Sequence, residues 1–279
     1  MIPLTLTAVI ADLDNLPAAP AVMTQLLEYI GRDDADGRTI ARMIAQDPVL
    51  SAKCLNLANS SVYGLRQRVT TTQDALSVVG QGAIATMVQA MAIASRVRGL
   101  QTQDVDLGSF WMHSIFTALC ARALAKHTRL APDAAFLAGL LHDIGKLVLA
   151  SRFTGHFALV LARQRSDDSR MVDAERAVLG FTHAEIGAAV ADAWKFAPEV
   201  ARAVAGHHEP EAHPASTLTS LVHVANALAH VLDVVQDENA LVPRLSEFSL
   251  GRLCLDWPDI KAVLVEVEAQ QSEAALLLG

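Results

Sequence analysis

Cysteine is scarce: three residues in 279, Cys54, Cys120 and Cys254, none spaced as CxxC. A disulfide framework and a thiolate zinc site are poor fits to that pattern, and buried reduced thiols are expected. Aromatic residues reach only 5% and charged residues 19%. Basic charge is short as well, with 22 Lys and Arg against 30 Asp and Glu, a formal charge of −8, and no dense Lys/Arg cluster. Nucleic-acid binding relies on a basic face, so no nucleic-acid partner is expected. No uninterrupted apolar run reaches the ~18 residues that a membrane helix needs. The start, MIPLTLTAVIADLDN, has neither the basic nor the apolar region of a signal peptide. These absences predict no membrane association and a cytoplasmic location.

What is abundant is Ala, Leu and Val, within a hydrophobic fraction of 52%. Long Ala/Leu segments with few β-branched runs favour packed helices, so the fold class is all-α, in two helical lobes. The first predicted helix follows Leu16-Pro-Ala-Ala-Pro20, with Val22, Leu26, Leu27 and Ile30 on one face. A second spans about 37–45, with Ile40, Met43 and Ile44 inward. Asp47-Pro48 reads as an N-cap followed by proline at the first helical position. Short and long helices follow up to Val97, the long one almost uniformly apolar and therefore buried. The polar segment 99–108 is flanked by glycines and marks a boundary, giving an N-terminal lobe over 1–103. Helices are then predicted near 109–127, 132–149, 151–165, 171–179, 182–194, 198–207 and 216–234, a second lobe over 104–235. A tail over 236–279 ends in a helix from Trp257-Pro258 to about Leu278.

One stretch stands out: Phe136-Leu-Ala-Gly-Leu-Leu-His142-Asp143-Ile-Gly-Lys146-Leu-Val-Leu. A carboxylate and a lysine inside an apolar run need partners, because an unpaired buried charge is costly. Ten histidines surround this observation. His113 follows Trp111-Met112 on the preceding helix, and His207-His208 ends a later one. Thr182-His-Ala-Glu185 fits a capping box, which puts His183 at the first helical position. The helix dipole there disfavours imidazolium and keeps a lone pair available for a metal. Neutral imidazoles with a carboxylate suit first-row divalent ions such as Fe, Mn, Zn or Ni. Spacing over almost a hundred residues is weak evidence for one site, and a lone His113 or His183 is more often a hydrogen-bonded core residue than a ligand. His127, His156, His213, His223 and His230 show no partner pattern and read as surface or packing residues.

The ordered series His113, His142-Asp143-Ile-Gly-Lys146, His183, His207-His208 resembles the HD superfamily of metal-dependent phosphohydrolases. It is most similar to the HDOD branch, the HD-related output domains. Asp47-Pro48-Val-Leu50, Leu55-Asn-Leu-Ala-Asn59-Ser60 and Val69-Thr-Thr-Thr-Gln-Asp-Ala75-Leu-Ser-Val-Val-Gly80 resemble the helical signature of the N-terminal lobe of that branch. The resemblance covers about residues 14 to 234 and implies that the second lobe is an HD-like helical bundle.

It also implies a ligand set: His113, His142, Asp143, His183, His207 and His208 for one or two divalent ions, with Asp143 bridging. Lys146 would then neutralise phosphate charge beside Asp143. Three departures matter. Asn226 in Val224-Ala-Asn226-Ala-Leu228 stands where the family has its last ligand, an Asp, and brings no charge. His207-His208-Glu209-Pro210 lacks the Gly-Tyr-Pro segment of the HD-GYP enzymes that hydrolyse cyclic di-GMP. Ser109 replaces the Glu of trinuclear relatives, so a third metal is not expected. The expectation is a bacterial signal-transduction module with a metal centre and weak or no hydrolase activity. Its partner would be a signalling protein or a phosphorylated small molecule. A metal-dependent phosphohydrolase acting on a cyclic dinucleotide or nucleotide is the alternative, and a metal-free remnant that holds the fold together is a third reading. The apolar tail Ala274-Ala-Leu-Leu-Leu-Gly279 offers docking within the chain or against a second copy, which leaves a homodimer open.

Overall fold

A computed structural model describes residues 3–16, 18–60, 63–65, 67–97, 102, 104–232 and 244–270, which contain helices and no strand. Two compact units divide them, one of residues 18–97 with residue 270, the other of residues 3–16 and 102–269. The two units divide near residue 100. The start of the chain does not follow the expected 1–103 lobe. Helix α1 (Leu6–Asp12) packs on helix α12 (His183–Ala193) and buries Val9 completely. Asp12 also accepts a forked pair of bonds from Arg152, Nε at 2.7 Å and Nη2 at 2.8 Å. The expected separate tail is likewise part of this unit where it is described. Helix α15 (Glu247–Leu253) packs on α14 (Thr217–Val231), and α16 (Trp257–Ala269) on α7 (Leu107–Ala125). The segment 274–279 and the end of the last expected helix lie outside the described residues.

The smaller unit is built from α2 (Ala21–Ile30), α3 (Gly37–Ala45), α4 (Pro48–Ala58), α5 (Thr72–Val79) and α6 (Gln81–Val97). Its core is the set that helical spacing points inward: Leu26, Ile40, Ile44, Leu50, Cys54, Leu76, Ile84 and Val88. Asp47 caps α4 through Val49 and Leu50 N–H groups, with Pro48 at the first position. Gly80, at φ +85°, turns the chain through 108° between α5 and α6, a conformation that glycine adopts at little cost. The side chain of Asn59 clamps the loop ahead of α5 by bonding both the N–H and the carbonyl of Val69, each at 2.9 Å.

In the larger unit α7 is buried along most of its length and lies between α8 (Pro132–Leu141) and α14. Helix α9 (Ile144–Arg152) packs on α12, which pairs with α13 (Pro198–Gly206); α10 (Thr154–Asp167) pairs with α11 (Met171–Leu179). The stretch Pro132–Arg152 is apolar and long enough to cross a membrane, yet 83% of its most apolar window is buried inside the fold. It is the central layer of the bundle, interrupted by His142, Asp143 and Lys146.

One helix was expected over 132–149, but the chain breaks at His142-Asp143, where the Asp143 backbone (φ −103°, ψ 5°) leaves the helical path. Just past the break, Gly145 meets α12. A Cβ on Gly145 would collide with the His183 carbonyl and stand 2.9 Å from the Gly187 N–H nitrogen, so α9 and α12 cross backbone to backbone. Gly145→Ala is expected to destabilise the protein by about 1–3 kcal/mol through overpacking, read as a lower urea midpoint. A variant as stable as the parent would contradict this crossing.

Candidate metal centre

Five helices deliver the polar side chains, four of them at their ends. His113 comes from α7, His142 and Asp143 from the break between α8 and α9, and Lys146 from the first turn of α9. His183 opens α12, held there by a capping box in which Thr182 Oγ1 accepts from Glu185 N–H and Glu185 accepts from Thr182 N–H. His207 and His208 follow directly on α13. All are buried or largely buried, and His142, His183 and His207 are completely enclosed.

Asp143 lies at the centre, and its two oxygens face different sets of partners. Oδ1 is 3.2 Å from His183 Nε2 and 3.7 Å from His207 Nε2. Oδ2 is 2.6 Å from Lys146 Nζ, 3.4 Å from His142 Nε2 and 3.9 Å from His113 Nε2. His208 Nε2 approaches His183 Nε2 at 3.0 Å. Two donor sets result, Asp143 with His183, His207 and His208, and Asp143 with His113 and His142, each within 4.8 Å. The structure thus has His/Asp groups that could hold a metal.

The hydrogen bonds behind these rings set their tautomers. His142 Nδ1 is 2.7 Å from the Gly139 carbonyl and His207 Nδ1 is 2.7 Å from the Val204 carbonyl. A carbonyl only accepts, so each Nδ1 carries the hydrogen and each Nε2 turns a lone pair inward. Those two Nε2 atoms are buried without a hydrogen-bond partner, as are Asp143 Oδ1 and Asn226 Oδ1. The 3.2 Å approach of His183 to Oδ1 is not aligned as a hydrogen bond. Each unsatisfied buried polar atom costs about 1–3 kcal/mol. All four are acceptors, a chemistry that a cation satisfies.

Asn226 is placed by its neighbours on α14. Three residues earlier, His223 Nδ1 donates to the His207 carbonyl at 2.8 Å and its Nε2 accepts from Ser246 N–H. Four residues later, the His230 ring lies 4.6 Å from that of His113. Asn226 therefore sits between two contacts with the histidine cluster, although no direct bond ties it to Asp143. His223 and His230, read from sequence as packing or surface residues, brace that cluster. Ser109 Oγ bonds Asp106 Oδ2 at 2.5 Å within the cap of α7.

Glu175 escaped the sequence reading. It is fully buried and accepts from the His183 backbone N–H at 2.9 Å and from His183 Nδ1–H at 2.7 Å. A carboxylate behind a ligating imidazole fixes its ring and raises its basicity. The available signal was an acid at helical spacing with Val172 and Leu179, on the inward face of α11. Glu175 also works against the helix dipole at His183. Burial pushes His183 down, but the Glu175 charge outweighs it and the imidazole ends above its ordinary value. His113 and His208 are held well below theirs by burial and by neighbouring imidazoles. Burial, the largest cause, brings His207 down to about 4. Burial would raise Asp143, yet His142 and the Lys146 ammonium hold its carboxyl well below the usual range. The Cys54 and Cys120 thiols are pushed up to about 11 and about 12 by burial, and so stay protonated and outside this chemistry.

The sequence profile of the HDOD domain matches residues 16–210. The chain belongs to the HDOD family. An uncharacterized protein of Treponema pallidum (strain Nichols) is 29% identical over 238 residues, which span 82% of this chain and 45% of that protein. The chain thus spans less than half the length of that curated relative. A provisionally named phosphohydrolase from Shewanella amazonensis SB2B superposes with a TM-score of 0.78 at 27% identity, over 97% of this HDOD chain and 98% of that one. A provisionally named signal transduction protein from Marinobacter aquaeolei VT8 gives 0.74 at 25% identity, over 100% of this chain and 62% of the other.

The depressed histidines carry a pH dependence for the metal-free protein. His113, His207 and His208 resist protonation in the fold, while in the unfolded chain they take protons near 6.5. Below that pH the unfolded state binds more protons, so their contribution is lost as pH falls toward about 4, where His207 protonates in place. His183 works oppositely, lending stability below its unfolded value that is lost as pH rises through its folded one. Three groups against one give the sign. The urea midpoint of chelator-treated protein is expected to fall between pH 7 and about pH 5, and to fall less in His207→Gln. A midpoint that rises over that interval would contradict the burial of these rings.

Proposed function

We propose that this HDOD chain is a bacterial signal-transduction module that binds a divalent transition metal at the Asp143 centre and hydrolyses phosphodiesters weakly or not at all. The observation that carries it is the convergence of buried acceptor atoms without donors on one carboxylate. Asp143, His183, His207 and His208 would hold one ion. Asp143, His113 and His142, with the amide of Asn226 nearby, form the second position. Fe, Mn, Zn and Ni all suit such a donor set. A bound ion would lower the pKa of a water molecule and offset charge on a phosphoryl group.

The chain's own residues limit hydrolysis. Asn226 offers a neutral amide where a carboxylate would add charge. A cavity of about 230 Å³ opens on His208 between Arg176 and Thr182, with Glu185 and Glu209 in its wall. Arg176 lies 3.8 Å from Glu185 and 3.9 Å from Glu209, so the mouth carries both signs of charge, one carboxylate in excess. Arg176 in the cavity wall, and Lys146 Nζ bound to Asp143 Oδ2 deeper in the centre, are cations that would meet a phosphate. The provisional name of the Marinobacter protein supports a signalling role, with a signalling protein or a phosphorylated small molecule as partner. A cytoplasmic location, a homodimer and the lack of nucleic-acid or membrane partners belong to the same reading.

The second reading is a metal-dependent phosphohydrolase acting on a cyclic dinucleotide or nucleotide. The complete His/Asp series with Lys146 favours it, as does the provisional name of the Shewanella protein. Metal analysis and turnover assays separate the two. Protein purified without added metal is expected to hold a transition metal, and less than about 0.2 equivalents would count against the centre. With Mn²⁺ or Fe²⁺ supplied, cyclic di-GMP and generic phosphodiesters are expected to turn over slowly or not at all. Brisk turnover abolished by Asp143→Ala would establish the second reading, and turnover gained only in Asn226→Asp would show a centre one charge short.

A further inference from the structure

The two oxygens of Asp143 are not equivalent, and the difference lies in Lys146. Oδ1 faces His183 and His207 and has no hydrogen-bond donor. Behind that side stands the buried carboxylate of Glu175, bonded to His183. Oδ2 has only His142 and His113 beyond 3 Å, and Lys146 Nζ occupies it at 2.6 Å. An oxygen ligand sits about 2.0–2.2 Å from a zinc-type ion. An ammonium already bonded to that oxygen would stand within a few ångströms of the ion, where like charges repel strongly in a buried site. The Asn226 amide brings no charge to offset that repulsion.

We propose that Lys146 is the resident counter-cation of the Oδ2 position, so that the centre takes one ion on the Oδ1 side and admits a second only when Lys146 swings away. This rests on the metal-binding reading above. The side chain is able to leave. It is 25% exposed, on a flexible four-carbon stem, one turn into α9. The number of ions bound would then depend on metal concentration, or on an anionic ligand that draws the ammonium off Oδ2.

Mn²⁺ titration of the chelator-stripped full chain tests this, with stoichiometry read by equilibrium dialysis and ion pairing by electron paramagnetic resonance. The parent is expected to bind one Mn²⁺ with a second at least about tenfold weaker. Lys146→Met and Lys146→Gln are expected to tighten the second site by about tenfold or more and to show the exchange-coupled spectrum of paired Mn²⁺. Lys146→Arg keeps the charge and the single ion. Two equal sites in the parent, or one ion in both neutral variants when circular dichroism shows them folded, would overturn the proposal and leave the metal centre standing. No Mn²⁺ bound to the parent or to any variant would overturn both.

Discussion

A carboxylate enclosed by imidazoles is the constraint from which the rest of this molecule follows. Asp143 is 3% exposed, too deep to be stabilised by water, and an unpaired anion at that depth would be neutralised or expelled. Its ionised state is held first by His142 and Lys146, its neighbours along the chain, while His183 and His207 approach its other oxygen from separate helices. The helices meet at this one point, and their packing shows it. The chain breaks at the Asp143 backbone, Gly145 brings α9 against α12, and the capping box starts α12 so that His183 faces the carboxylate. The site determines where the helices end at least as much as the helices determine the site.

A second layer decides what the first can bind. Backbone carbonyls of Gly139 and Val204 fix two imidazoles as lone-pair donors, and Glu175 fixes a third. His223 ties the His207 carbonyl to Ser246, so α14 braces the end of α13. Few of these contacts touch the position of an ion, yet they set ring orientation and basicity. The layer is uneven around Asp143, anionic behind His183 and cationic at Lys146. That unevenness makes the two oxygens of the carboxylate chemically different.

Much of this was legible in the residues. Asp47-Pro48 and Thr182-His-Ala-Glu185 are local cap signatures whose chemistry is complete within four residues, and both form as read. Ile40, Ile44 and Leu26 lie on periodic faces and occupy the core of the small unit. The break at His142-Asp143 was hidden because α8 and the start of α9 are apolar on all sides. A helix without a polar face has no periodicity to show where its phase changes. Glu175 was missed for a different reason: its partner lies across a turn, on the next helix, and only tertiary structure pairs them. The same carboxylate works against the helix dipole at His183, and the effect of one helix end is smaller than a full charge within 3 Å. The place of α1 depended on Val9 and Asp12 finding partners about 140 to 180 residues away, which no local pattern encodes.

The most direct measurement is an anomalous difference map from crystals of the full chain grown with Mn²⁺ or Fe²⁺. The account predicts a peak bound by His183 Nε2, His207 Nε2 and Asp143 Oδ1, at the roughly 2.0–2.2 Å expected of nitrogen and oxygen ligands. A map without a peak there, in which those atoms instead bond to water or to one another, would contradict it.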